Sequence, residues 1–138
     1  MKKVLTVGVF DYFHLGHLRL FKQAREHGDY LIVAVQEEDY IRITKPEAKI
    51  FYSTEQRMEI VQSIKIVDKV ITYKSVDTLL PQVEFDVFAV GEDQDHDGFQ
   101  RAIVWCEEQG KEIVRLKRTP YISSRMIKDD VLQDEGRL

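Results

Sequence analysis

Five short apolar runs, separated by segments with helical spacing, are the feature of this sequence that most restricts its fold. The runs span residues 4–9, 30–35, 67–73, 87–90 and 112–116. Apolar runs of this length are typical of strands buried on both faces, and their alternation with helices is typical of a parallel sheet. The sequence therefore predicts an α/β fold, a doubly wound, Rossmann-like parallel sheet of five strands with helices on both faces.

A single domain accounts for the chain. Its 138 residues are 43% hydrophobic and 32% charged, and a chain of about 150 residues buries roughly two thirds of its unfolded surface. No repeat, low-complexity tract or linker divides the sequence. We expect one domain over residues 1–132 and a frayed tail over 133–138.

Capping residues predict where helices begin and end. Gly28 and Gly110 are natural residues to follow a helix, because glycine adopts the left-handed conformation found there. Ser53 fits a capping box that opens a helix, and Ser123 caps a last helix over about 124–132.

Charge and cysteine content restrict the partners and the compartment. The net charge of −4 argues against a broad nucleic-acid surface, which needs clustered Lys and Arg. No apolar run is long enough to span a bilayer. Cys106 is the single cysteine and no signal peptide is recognisable, so we expect a cytoplasmic protein with neither nucleic-acid nor membrane partners. Cys106 lies in a helical pattern and is expected to be a packing residue.

Two histidines follow the first predicted strand, where a helix begins. His14 and His17 are three residues apart, so in a first helical turn they share a face, with Gly16 keeping the space between them open. Ligands of such sheets bind beyond the carboxyl ends of the strands. A helix N-terminus offers free N–H groups and partial positive charge, to which two imidazoles add donors. The pair therefore favours a phosphoryl ligand.

A zinc site, a dinucleotide site and a structural cap are the other interpretations of the pair. A zinc site on a helix usually has the spacing H-E-x-x-H, whereas these histidines are closer and no glutamate lies between them, so no metal site is expected. The dinucleotide fingerprint G-x-G-x-x-G does not follow the first strand. Two structural histidines that cap the turn remain the alternative.

Further anion-binding candidates follow later strands. Arg118, with the hydroxyls of Thr119, Ser123 and Ser124, can hold phosphate oxygens, although Ser123 is also explained as an N-cap. Residues 41–49 form a polar stretch with three cations, interpreted as a mobile flap that places a lysine over a phosphate, or as a solvated loop.

Two single charged residues are candidates as well. Arg57 begins a helix, where a cation is unfavourable without an anionic partner, so it is a candidate ligand contact. The acidic run 92–97 lacks the spacing of a calcium loop and is mostly solvated. Within it, Asp93 is placed to accept a hydrogen bond from a sugar hydroxyl or a base.

Two separated motifs resemble those of a known family. Gly8-Val9-Phe10-Asp11 with His14-Leu15-Gly16-His17, and Arg118-Thr119 with Ile122-Ser123-Ser124, resemble the cytidylyltransferase-like nucleotidyltransferases, and most closely their small bacterial glycerol-3-phosphate members. The likeness extends from Met1 to about Asp130.

The resemblance implies an enzyme that transfers CMP from CTP to a small phosphorylated alcohol, glycerol 3-phosphate being favoured, and releases pyrophosphate. It implies Mg²⁺ carried by the nucleotide and a homodimer. Catalytic roles fall on His14, His17, Lys45 and Arg118, with Lys49 as the second choice of flap lysine. Nucleotide contacts fall on Gly8, Val9, Phe10, His14, Gly16, His17, Gly91, Asp93, Arg118, Thr119, Ile122, Ser123 and Ser124. Acceptor contacts fall on Asp11, Lys45, Arg57 and Lys74.

Two departures leave the substrates open. Val9 stands where the glycerol-3-phosphate members usually have threonine, and Gln94 stands where they tend to have an aromatic residue. An enzyme that uses ATP, or one that accepts another phosphorylated polyol or amino alcohol, is the alternative. From a different class, a nucleotide-binding module without turnover is also considered.

Overall fold

Five parallel strands form one sheet in the computed structural model, which describes residues 1–120 and 122–136. The strands are β1 (Lys3–Gly8), β2 (Tyr30–Gln36), β3 (Lys69–Tyr73), β4 (Val87–Gly91) and β5 (Glu112–Leu116), in the spatial order β3-β2-β1-β4-β5. Every neighbouring pair is parallel. Each predicted apolar run forms a strand, and the prediction of a doubly wound α/β sheet is confirmed.

The strands are apolar because both faces of the sheet are covered. All five residues of β4 are buried, as are the five central residues of β2. Successive side chains of a strand point to opposite faces. Val4 joins the core on one face with Phe21, and the next residue, Leu5, joins the core on the other face with Phe88. Burying each such side chain stabilises the fold by about 1.5–3 kcal/mol.

Helices within the described residues cover the two faces. They are α1 (Leu15–Arg25), α2 (Glu38–Thr44), α3 (Thr54–Gln62), α4 (Val76–Leu79), α5 (Asp97–Glu108) and α6 (Ser124–Gly136), with a 3₁₀ turn at Leu80–Gln82. Phe21 of α1 and Val61 of α3 lie in one core. Phe99 and Cys106 of α5 lie in the other. Burial raises the pKa of the Cys106 thiol to about 11, as befits a packing residue.

Three helix ends follow the predicted caps. Ser53 Oγ accepts from the N–H of Gln56 at 3.2 Å, and Gln56 Oε1 accepts from the N–H of Ser53 at 3.0 Å, which completes the capping box of α3. Ser123 Oγ accepts from the N–H of Met126 at 3.1 Å at the start of α6. Gly110 follows α5 with a φ of +72°, the conformation that favours glycine.

Three local expectations were wrong. The polar stretch 41–49 is not all loop, because α2 occupies its first four residues and buries Ile41. Helix α1 ends at Arg25, before Gly28. Helix α6 runs through most of the expected tail to Gly136, because no proline or glycine interrupts residues 124–135. Residues 137 and 138 lie outside the described residues.

The strand order reverses between β1 and β4. These two strands are neighbours in the sheet, although β2 and β3 lie between them in the sequence and on the other side of β1 in the sheet. In open parallel sheets, the loops leaving two such strands separate and leave a crevice at their carboxyl ends. Gly8 ends β1 and Gly91 ends β4. None of the helices in the described ranges is long and apolar enough to cross a bilayer.

Candidate active site

A cavity of about 360 Å³ opens beyond the carboxyl ends of β1 and β4. All thirteen residues that the resemblance assigns to the nucleotide line it, although they come from five separate parts of the chain. Asp11 lines it too. The cavity is also lined by residues that were not predicted, namely Val7, Leu20, Ile50, Gln94, Leu116 and Lys128.

His14 and His17 form a capping box at the start of α1. His14 Nδ1 accepts from the N–H of Gly16 at 3.0 Å, and His17 Nδ1 accepts from the N–H of His14 at 3.2 Å. The two rings stack with their centroids 3.8 Å apart. Because both Nδ1 atoms are acceptors, each neutral ring carries its proton on Nε2, where it can donate to a ligand. The capping role and the donor role are therefore compatible.

Both imidazoles are neutral at pH 7. Burial, followed by the nearby His14, lowers the pKa of His17 to about 3, against an opposing effect of Asp11. Burial, followed by the charge of Arg118, lowers the pKa of His14. A neutral imidazole with its proton on Nε2 donates a hydrogen bond without first having to lose or gain a proton.

A strained turn brings the histidines to the cavity. Phe10 and Tyr12 both have positive φ, +56° and +47°, which costs about 1–3 kcal/mol for each residue without special compensation. The buried Phe10 ring packs edge-on against His17 and Phe21. A Cβ on Gly8 would lie 2.7 Å from that ring, so only glycine fits under it.

The carboxylate of Asp11, which was expected to contact the acceptor, is engaged within the protein. Its carboxylate is 3% exposed and accepts from the N–H groups of Phe51 and Tyr52 at 2.8 and 3.0 Å. Lys128 Nζ lies 2.9 Å from the same carboxylate. Although burial alone would raise it, these hydrogen bonds and the lysine charge lower the pKa of Asp11 below its usual value. The carboxylate therefore holds the segment 45–52 in place.

Arg57, expected to contact the acceptor, is likewise engaged within the protein. Arg57 is 0% exposed. Its guanidinium donates to the carbonyl oxygens of Val9, Gln36 and Tyr52 at 2.7–3.1 Å, and to Thr54 Oγ1 at 3.3 Å. Backbone carbonyl oxygens, and not a ligand, are therefore the partners of the Arg57 cation in this first helical turn. No local sequence pattern reveals them.

The predicted phosphate-binding groups are partly engaged within the protein. Arg118 forms an ion pair with Asp93, N···O 3.1 Å, in which both side chains are about half exposed. Ser123 caps α6, and Ser124 Oγ donates to the carbonyl oxygen of Asp11. An anionic ligand would therefore compete with Asp93 for Arg118.

A second cavity of about 560 Å³ adjoins the first and shares Gly8, Val9, Asp93 and Gln94 with it. Lys45 lines this second cavity, whereas Lys49 is exposed on the same segment. Lys74 is exposed and lines neither cavity, contrary to expectation. Its neighbours Tyr73 and Ser75 line the second cavity. An extended segment points alternate side chains to opposite sides.

Gln94 separates the two cavities. Its Oε1 accepts from the N–H of Gly91 at 2.8 Å, and its Nε2 donates to the carbonyl oxygen of Val7 at 3.2 Å. Both ends of the amide are thus used to join the loop after β4 to β1. One sequence signal points to this role: Gln94 stands where the glycerol-3-phosphate members of the family tend to have an aromatic residue.

The fold and the cavity define the chain as a doubly wound α/β protein. Its cavity, lined by two histidines and Arg118, opens at the point where the strand order reverses. A profile of the family described as cytidylyltransferase-like matches residues 5–130. The chain belongs to this family, and the prediction of a nucleotidyltransferase is confirmed at that level.

Relatives with different substrates match nearly the whole chain. The glycerol-3-phosphate cytidylyltransferase of Staphylococcus aureus is 38% identical, over 99% of this chain and 100% of that protein. The FAD synthase of Methanocella arvoryzae is 34% identical, over 98% and 99%. A solved structure, the lipopolysaccharide core biosynthesis protein from Thermoplasma volcanium, superposes with a TM-score of 0.71 at 26% identity, covering 88% of this chain and 99% of that one.

Proposed function

We propose that this protein transfers CMP from CTP to a small phosphorylated alcohol, with glycerol 3-phosphate as the first candidate, and releases pyrophosphate. The observation that carries the proposal is the meeting of two neutral imidazoles, Arg118 and the start of α6 in one cavity. The similarity to a glycerol-3-phosphate cytidylyltransferase over the full chain supports the choice of substrates.

The chemistry requires charge stabilisation rather than a strong base. An oxygen of the acceptor phosphate attacks the α-phosphorus of CTP, and the bond from that phosphorus to the bridging oxygen of the β-phosphate breaks. The phosphate monoester is already an anion near neutral pH. The imidazole Nε2–H groups of His14 and His17 would donate to the oxygens on which charge builds, and Arg118 would hold the departing pyrophosphate.

The donor set of the cavity fits a magnesium ion that arrives on the nucleotide. The carboxylates of Asp11 and Asp93 are paired with Lys128 and Arg118, and the remaining groups are N–H and O–H donors suited to phosphate oxygens. When bound, Mg²⁺ would take those oxygens as ligands and neutralise part of their charge.

The acceptor would enter through the second cavity. Lys45 lines it, and the shared wall of Gly8 and Val9 leads from it to the histidines. An ammonium group there would offset the repulsion between the acceptor phosphate and the triphosphate. Lys74 is exposed just after β3, so we propose that it contacts the acceptor only at the entrance of the second cavity.

A panel of four nucleoside triphosphates and a dozen phosphorylated acceptors, with Mg²⁺ present, tests the proposal through pyrophosphate release. We expect release with CTP and glycerol 3-phosphate. Release only with ATP would favour an adenylyltransferase, for which the similarity to an FAD synthase is the supporting observation. Nucleotide binding without release from any pair would favour a binding module.

The proposal includes two further expectations. The single cysteine favours a cytoplasmic location, and the family resemblance implies a homodimer. Size-exclusion chromatography with light scattering would measure the second, since a dimer has twice the chain mass of 16.2 kDa.

A further inference from the structure

Lys128 lies where three separate segments of the chain meet. It is on the second turn of α6, and its side chain is 25% exposed. Its Nζ is 2.9 Å from Asp11 Oδ2 and donates to the carbonyl oxygen of Lys49 at 2.6 Å. It also lies 5.1 Å from the centre of the Tyr12 ring. One ammonium group thus contacts the β1–α1 loop and the segment 45–52 at once.

Asp11 contacts the same two segments, 45–52 and α6. Its two carboxylate oxygens accept from the N–H groups of Phe51 and Tyr52, and its carbonyl oxygen accepts from Ser124 Oγ. The carboxylate is nearly inaccessible to water, and a buried carboxylate is retained in its charged form only with a cation and several donors around it. Lys128 supplies the cation.

The arrangement joins two separate segments of the candidate site to the loop that carries the histidine pair. The segment 45–52 carries Lys45, and the start of α6 carries Ser123 and Ser124. His14 and His17 follow Asp11 at the N-terminal end of α1, which packs on the sheet. Without Lys128, one side-chain contact between α6 and segment 45–52, and one between α6 and Asp11, would be lost.

We propose that Lys128 is a positioning residue: through Asp11 and the carbonyl oxygen of Lys49, it holds segment 45–52 and α6 in register with the histidine pair. The catalytic part of this proposal rests on the proposed function, because the register matters only if segment 45–52, α6 and the histidines act on one substrate. The anchoring part does not rest on it and can be tested without any substrate.

Limited digestion with trypsin tests the anchoring part on the nucleotide-free protein. Trypsin cleaves poorly before proline, so the bond after Lys45 is resistant and the bond between Lys49 and Ile50 is the informative one. Its carbonyl oxygen is the one that Lys128 holds. In Lys128→Met we expect cleavage there to rise roughly tenfold, since local opening becomes easier. In Lys128→Arg, which keeps the charge and the donors, we expect a rate near that of the wild type.

Lys65→Met is the matched control. Lys65 is exposed in the turn before β3, and its loss also removes one lysine, one tryptic site and one positive charge. Cleavage after Lys49 and turnover should both stay at the wild-type level in this variant.

Steady-state kinetics test the catalytic part. A displacement of about 1 Å in a substrate-holding group can lower a rate about a hundredfold, so we expect kcat of Lys128→Met to fall between about tenfold and a hundredfold, with little change in KM for CTP. Lys128→Arg should recover most of kcat. If Lys128→Met does not fold, Lys128→Gln is measured in its place with the same expectations.

Three results would overturn the proposal. Unchanged cleavage after Lys49 together with a raised KM for CTP would show that Lys128 binds the nucleotide directly. A lower melting temperature with unchanged kcat would show a role in stability alone. Unchanged cleavage and unchanged kinetics would show no role. If the wild type releases no pyrophosphate with any substrate pair, the proposed function fails while the digestion experiment still decides the anchoring.

Discussion

The two roles of the histidine pair can be separated with a capping box taken from the same chain. Ser53 and Gln56 form such a box at α3 through an oxygen at each position. The double variant His14→Ser/His17→Gln places the same residue types at the start of α1, so oxygen atoms replace both Nδ1 acceptors. The imidazole Nε2–H donors of these two cavity-lining residues are lost.

The expected magnitudes differ strongly between stability and turnover. Loss of a cap costs about 1 kcal/mol, which this variant avoids. The loss of ring contacts with Phe10 and Phe13 lowers the free energy of unfolding by about 1–2 kcal/mol. Each missing donor raises the barrier by about 2.7–4 kcal/mol, a hundredfold to a thousandfold in rate. We expect turnover to fall at least about a thousandfold.

Urea unfolding and pyrophosphate release measure the two effects. His14→Ala and His17→Ala should each lose about a hundredfold to a thousandfold in turnover, with a further loss of cap stability. Ser53→Ala is the opposite control, because it loses a cap, at about 1 kcal/mol, and should keep its turnover. A folded double variant with turnover within a few-fold of the wild type would refute the donor role.

Three other variants test separate parts of the structure. Arg57→Met leaves three buried carbonyl oxygens without their donor, at about 1–3 kcal/mol each, so urea unfolding should show a loss of at least about 3 kcal/mol; a loss below about 1 kcal/mol would contradict the buried network. The pKa of His17 is about 3 in the folded protein against 6.5 for the free side chain, so the unfolded state binds the extra proton between these values. Stability should therefore fall as the pH drops below about 6.5, by up to about 1.4 kcal/mol per pH unit, and His17→Gln should show a shallower dependence in unfolding curves measured between pH 5 and pH 7.5. In Gly16→Ala the new Cβ would lie 2.7 Å from His14 Cε1, so the ring must move and its cap on the Gly16 N–H weakens; turnover should fall about tenfold or more, with at most about 1 kcal/mol lost in stability, and full turnover would show that the ring position is unimportant.

The strands and the histidine motif were predictable because their signals are local. Strand β4 is a continuous apolar run, and its burial on both faces follows from that run alone. The spacing of His14 and His17 places both rings on one face of a helical turn whatever surrounds them. Helix α2 was missed because its residues show little periodicity. It is stabilised by burial of Ile41 and by an ion pair between Arg42 and Glu38.

The roles of the buried charged residues were not predictable. Arg57 donates to the carbonyl oxygen of Val9, 48 positions earlier in the chain, and Asp11 accepts from a backbone N–H 40 positions later. From the sequence, both residues are charged groups near a predicted site, which favours ligand contacts. Inside the fold each is surrounded by backbone groups that would otherwise be buried without a partner.

The amino-acid sequence by itself determined the α/β class, the order of the five strands along the chain and the placing of two histidines at a helix start, because periodicity and capping act over a few residues. Only the tertiary structure decided that Asp11 and Arg57 hold backbone segments together. It also decided that Lys45 lines a cavity while Lys74 does not, and that Lys128 joins three segments. These roles depend on burial and on partners far away in the chain, and neither quantity exists until the strands have paired and the helices have covered the sheet.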